Sequence, residues 1–229
     1  MSKKPETSAP AGLTATTVKN TSPELRKRLL AARGALTVTQ RQAASEAIMH
    51  HLRVDLATSP AGDVLQAVTG RRPVIAAFWP MPDEPDLRPL LTEWSGLGYD
   101  IALPTIAQRS APLVFLRWEP GSPMRAGAYG IAEPDGTPAC VPDVLLVPTL
   151  GYTGSADRIG YGGGYYDRTL ADMAARGLCY AAVGVALSCA RLEPGSHQPA
   201  PHDVRLDAVV DETGWTIPEA LDTSPDGLR

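Results

Sequence analysis

Three cysteines, Cys140, Cys179 and Cys189, are all that 229 residues contain, and no two stand at C-x-x-C spacing. An odd, unpatterned set excludes a disulfide framework and predicts ordinary buried thiols in a reducing compartment. Runs of lysine and arginine longer than three are also missing, and the formal net charge is −4. That balance argues against a surface built to follow a nucleic-acid phosphate backbone. No apolar run reaches the roughly 18 residues of a membrane span, and the N-terminus lacks the charged-then-apolar order of a signal peptide. The expectation is a cytoplasmic protein with no membrane and no nucleic-acid partner. Neither standard phosphate fingerprint is present. Gly-Lys-Ser/Thr occurs nowhere, and a G-x-G-x-x-G beginning at Gly160 would need glycine where Tyr165 stands.

What is present reads as one α/β domain. Met1 to Thr21 is rich in Ser, Thr, Ala, Lys and Pro without apolar periodicity, so it is expected to be a disordered tail. Ser22-Pro23-Glu24 supplies an N-cap, a first-turn proline and a first-turn acid for a helix with Leu25, Leu29, Ala32 and Leu36 on one face. A second helix follows from about Thr39 to Ala57, then a loop insertion from Thr58 to Pro73 carrying one short helical turn. From Val74 strands and helices alternate. Val74–Pro80, Tyr99–Ile106, Leu113–Trp118, Asp143–Leu150, Tyr180–Leu187 and Leu206–Val210 read as strands, and Asp86–Leu97 and Tyr165–Arg176 as helices. The order predicts a three-layer α/β/α fold with a mainly parallel sheet, whose ligands bind beyond the carboxyl ends of the strands. The domain is expected to span residues 22–215, with residues 216–229 a second tail.

The most informative stretch runs from Val147 to Arg168, VPTLGYTGSADRIGYGGGYYDR. It places glycines 160, 162, 163 and 164 between a buried strand and a helix whose first turn holds Asp167. Strand, glycine-rich turn and helix N-terminus form a phosphate cradle, because glycine lets the backbone approach an anion and the free N–H groups favour negative charge. Arg158 adds a planar fork for phosphate oxygens. Asp167 has two readings of equal weight, a complement to the helix dipole or a carboxylate for Mg²⁺ beside a polyphosphate.

This block resembles the signature of the 5-formyltetrahydrofolate cyclo-ligase family, roughly V-P-G-x-A-F-D-x-x-G-x-R-L-G-x-G-x-G-Y-Y-D. Further segments fall in the family's order: Phe78-Trp-Pro-Met-Pro-Asp-Glu84, Ala102-Leu-Pro104, Gly130-Ile-Ala-Glu-Pro134, and Pro201-His-Asp203 followed by Leu206-Asp207. The resemblance extends from Ser22 to about Thr213. It implies an architecture related to sugar-phosphate isomerases and CoA transferases. It also implies ATP- and Mg²⁺-dependent closure of 5-formyltetrahydrofolate to 5,10-methenyltetrahydrofolate, with ADP and phosphate released. By the same analogy Arg26, Arg158, Ile159, Gly160, Tyr161, Gly162, Gly163, Gly164, Tyr165 and Tyr166 bind ATP, and Arg158 and Tyr165 are the catalytic candidates. Trp79 and Glu84 contact the folate, and Asp167 and Asp203 bind Mg²⁺. Small molecules are the expected partners and a monomer the expected state.

Read without the analogy, several of these residues keep blander alternatives. Trp79 suits core edge as well as stacking on a pterin ring, and Glu84 suits a cap for the next helix. Arg26, sharing a face with Leu30 and Arg33, reads by default as part of a solvated basic stripe. His202 reads as a satisfied or exposed imidazole, and His50 and His51 receive no role. The chain departs from the family pattern at Ser22, Tyr152-Thr153, Ala156 and Gln198-Pro-Ala-Pro201. Because the cradle and both carboxylates remain, activity is expected, at a rate or ATP affinity these departures can lower. Two rivals stand beside it: a diverged member that binds nucleotide or folate as a sensor, and a related fold with different chemistry.

Overall fold

The computed structural model describes residues 22–58 and 72–218. The expected N-terminal tail, the expected C-terminal tail beyond residue 218 and most of the Thr58–Pro73 insertion lie outside the described residues. Helix α1 (Ser22–Gly34) and helix α2 (Val38–Thr58) precede strand β1 (Val74–Ala76), helix α3 (Arg88–Gly96) and strand β2 (Asp100–Thr105). Strands β3 (Val114–Trp118), β4 (Met124–Ala126), β5 (Ala132–Pro134), β6 (Ala139–Cys140) and β7 (Val144–Pro148) follow. Then come β8 (Gly151–Tyr152), β9 (Arg158–Ile159), helix α4 (Tyr165–Ala175), β10 (Ala181–Val185), β11 (Ala208–Asp211) and β12 (Gly214–Thr216). Strand β12 crosses the domain boundary expected at residue 215, and Thr216 is buried.

Eight strands form one sheet in the order β12-β11-β10-β7-β1-β2-β3-β6. The five from β11 to β2 are parallel, and β12, β3 and β6 join antiparallel at the two edges. Strand alternation sorts the apolar side chains into two cores. Val144 and Leu146 point to the layer of α2 and α3, where they meet Ile48, Leu52, Leu90 and Leu91. Leu145 and Val147 point to α4, where they meet Leu170 and Met173. Both faces of β7 are thus covered, which is why its sequence is continuously apolar. The three-layer expectation holds, and the middle of the chain resolves into two parts. Strand β3 belongs to the main sheet, whereas β4 and β5 form a separate hairpin.

Helix α1 sits apart from both layers. Leu25 and Leu29 pack with Leu150, Ile159, Ala190 and Leu192 in a third small cluster. Gly151 admits that helix: a Cβ there would lie 2.6 Å from the Leu29 side chain. The expected pattern of buried thiols is corrected here. Cys179, in the turn after α4, and Cys189, in a 3-10 turn after β10, are exposed, and Cys140 is half-buried. Both exposed cysteines sit in surface turns rather than on a strand or helix face that packs into the core.

Candidate active site

The chain runs from β1 to β2 on one side and later returns through β7 on the other side of β1. A crevice opens beyond the carboxyl ends of strands where a parallel sheet reverses its order in this way. Here it is a cleft of about 630 Å³, a size suited to a small-molecule ligand. Phe78 and Trp79, just past β1, Pro104 on β2 and Pro148 at the end of β7 line it.

Every site residue expected from the sequence lines this one cleft: Arg26, Trp79, Glu84, the whole run Arg158 to Asp167, and Asp203. The glycine loop leaves β9 and enters α4 with left-handed backbone at Gly162 (φ 93°) and Gly164 (φ 64°). Gly164 occupies the N-cap of α4, a conformation in which a side chain is strained. Three arginines gather on the loop. Arg26 donates Nε–H to the Gly160 carbonyl at 3.0 Å, and Arg168 donates to the Gly163 carbonyl at 2.7 Å. Arg158, whose side chain is 5% exposed, donates Nη2–H to both oxygens of Asp167, at 3.0 and 2.9 Å. Among the described residues its Nε is buried without a partner, as are the Tyr166 hydroxyl and His197 Nε2. Burial pushes the Tyr166 phenol well above the ordinary tyrosine range, so it keeps its proton.

On the other side, Trp79 lies edge-on to Trp118 with ring centroids 6.3 Å apart, and the Arg88 guanidinium sits 5.3 Å from the Trp79 ring centre. Glu84 is buried. One of its oxygens accepts the Met81 N–H at 2.8 Å and the other accepts the Tyr161 hydroxyl proton. Desolvation pushes its carboxyl above the ordinary range, against the opposing pull of the Met81 amide, the Tyr161 hydroxyl and the Arg33 charge.

The sequence profile of the 5-formyltetrahydrofolate cyclo-ligase family matches residues 18–212. The chain belongs to this family. Two family members named 5-formyltetrahydrofolate cyclo-ligase are each 34% identical to it. The Haemophilus influenzae protein aligns over 96 residues, 39% of this chain and 50% of its own length. That from Mycolicibacterium smegmatis aligns over 119 residues, 47% and 59% respectively. The chain therefore spans little more than half the length of the relatives it matches. The NMR structure of the Aquifex aeolicus 5,10-methenyltetrahydrofolate synthetase superposes with a TM-score of 0.70 at 25% identity, covering 89% of this chain and 95% of that one. The fold is also that of the Mycoplasma pneumoniae 5,10-methenyltetrahydrofolate synthetase, with a TM-score of 0.58, 20% identity, and 83% and 98% coverage.

Two sequence expectations change on this cyclo-ligase fold. Arg33 is no solvated residue but 4% exposed, and its Nη1 donates to the Tyr161 hydroxyl. The signal was available: Leu25, Leu29 and Arg33 recur every four residues and so share the buried stripe of α1. The departures at Thr153 and Ala156 lie outside the cleft lining. Thr153 Oγ1 accepts the Asp157 N–H at 3.1 Å and donates to the Asp157 carboxylate at 2.9 Å, closing a local turn. Tyr152, where the family carries phenylalanine, is fully buried, and its hydroxyl donates to Asp211.

Sequence reasoning also missed residues. The β4–β5 hairpin brings Ala128, Tyr129, Ile131 and Glu133 to the rim, and His197 reaches it from the loop after β10. Short strands of three residues carry too little periodicity to be read in advance.

Proposed function

We propose that the protein converts 5-formyltetrahydrofolate to 5,10-methenyltetrahydrofolate, with ATP consumed and ADP and phosphate released. The carrying observation is that one cleft joins an anion cradle, made by the glycine loop, α4 and the arginines, to a wall of Trp79 and buried Glu84. A polyphosphate suits the first half and a flat, hydrogen-bonding heterocycle the second. The formyl oxygen on N5 takes the γ-phosphoryl group as ADP leaves. N10 then attacks the activated carbon, closing the ring, and phosphate departs. Phosphoryl transfer asks the protein mainly for positioning and charge neutralisation. In this reading Arg158 and Tyr165 hold the transferring group, the Arg26-tethered loop wraps the nucleotide, and Glu84 orients the pterin by accepting hydrogen bonds.

The donor set fits Mg²⁺, which needs one or two carboxylates beside phosphate oxygens. Asp167 and Asp203 line the same cleft, while no cluster of three or more potential ligands exists among the described residues. Those two carboxylates would hold the ion, which supplies charge neutralisation when bound. Asp203 is braced by the Ala200 N–H on one oxygen at 2.8 Å.

The test is absorbance. Purified protein with 5-formyltetrahydrofolate and Mg²⁺ should form the methenyl product only when ATP is added. Binding of ATP or folate without product would overturn the ligase reading and leave a sensor.

A further inference from the structure

Between residues 160 and 164 the chain is Gly-Tyr-Gly-Gly-Gly, so Tyr161 carries the only side chain of this loop, which Arg26 and Arg168 hold through the Gly160 and Gly163 carbonyls. The residue is 37% exposed, but its hydroxyl is engaged twice. It accepts from Arg33 Nη1 on α1 and donates to Glu84 on the β1–α3 connection. The Arg33 guanidinium also lies 5.3 Å from the Tyr161 ring centre. Glu84 in turn holds the Met81 amide, and Met81 lines the cleft beside Trp79. One phenol therefore ties the glycine loop to the opposite wall.

Resting on the reading of one half as a nucleotide site and the other as a folate site, we propose that Tyr161 couples their occupancy. Polyphosphate entering the cradle must set the position of a loop whose glycines offer little resistance. The only side-chain handle on that loop then sets the Glu84 carboxylate and the Met81 backbone. The same link runs the other way, because a coupling free energy is reciprocal. A folate that fixes Glu84 places the loop for the nucleotide. Arg33, buried and anchored on α1, keeps the hydroxyl directed at Glu84 rather than at solvent. Tyr161 is thus a positioning residue that makes the two halves one site.

The experiment uses the full chain, a non-hydrolysable ATP analogue with Mg²⁺, and 5-formyltetrahydrofolate, with calorimetric titration of each alone and in the presence of the other. In the natural protein each ligand should tighten the other about fivefold or more, the lower end of ordinary coupling. In Tyr161→Phe, which keeps the ring that Arg33 covers, that ratio should fall to about one, whatever happens to either affinity alone. The ratio is the readout because a merely structural loss would weaken both ligands and leave their mutual effect in place. A thermal melt establishes that the variant is folded, and Tyr161→His, with a donor on a shorter ring, should restore part of the ratio. Both ligands binding with the same ratio in natural protein and Tyr161→Phe, or no mutual effect in natural protein, would overturn this inference alone. Failure of either ligand to bind the natural protein would overturn the functional reading and the inference together.

Discussion

Replacing Asp167 by asparagine separates two roles that its position combines. In the structure its carboxylate receives one Arg158 Nη2 on both oxygens, at 3.0 and 2.9 Å, between side chains 17% and 5% exposed. Because both contacts share one donor nitrogen, they count as a single charge-assisted interaction rather than two. Asparagine keeps the shape and one acceptor but removes the charge. The expected loss of stability is about 1.5–3 kcal/mol, a fall in melting temperature of about 3–12 °C for a chain of this size. If Asp167 also binds Mg²⁺, the ion concentration for half-maximal ATP-dependent methenyl formation should rise about tenfold or more, equivalent to about 1.4 kcal/mol. The assay is a Mg²⁺ titration at saturating ATP, paired with a thermal melt. A lowered melting temperature with unchanged Mg²⁺ dependence would reduce Asp167 to an anchor for Arg158. An unchanged melting temperature would refute the energetic account of the pair.

Other outcomes follow from the same contacts. Arg158→Ala should raise the ATP requirement more than that for folate, and steady-state kinetics showing the reverse would move this arginine to the other half of the cleft. Tyr152→Phe removes the buried proton donor to Asp211 and should lower urea stability by about 1.5–3 kcal/mol; a loss below about 0.5 kcal/mol would mean the hydroxyl does not matter. Glu84, whose carboxyl is raised by burial, binds its proton more tightly folded than unfolded. Its contribution to stability is full below the ordinary glutamate range and is lost as pH rises through its raised folded value. The stability of natural protein relative to Glu84→Gln should therefore decline as pH rises above the ordinary glutamate range, about pH 4, and a constant difference in urea midpoints would refute this.

Particular residues mark how far the sequence could be read. The run from Val144 to Pro148 is continuously apolar and the helix from Tyr165 carries a helical period, so strand, turn and helix were all legible and the cradle with them. Trp79 and Glu84 were legible only through the family's order of motifs, because nothing local distinguishes a cleft tryptophan from a core one. Arg33 was misread because a charged side chain is solvated by default, and its partners Tyr161 and Glu84 lie far along the chain. The departures at Thr153 and Ala156 were visible as letters. That they line no part of the cleft depends on the direction of the β8–β9 turn, which local spacing does not set.

The separate seat of α1 has a consequence for how the molecule comes together. The sheet and its two helical layers bury their apolar surface without it, in clusters that contain no residue of α1. Its contacts with the glycine loop join positions 134 and 128 residues apart. A chain can thus gain most of its core while the cleft still lacks one wall. Loss of the N-terminal helix would take Arg26 and Arg33 from the glycine loop while leaving both main clusters whole, so binding and folding of the core can be lost separately.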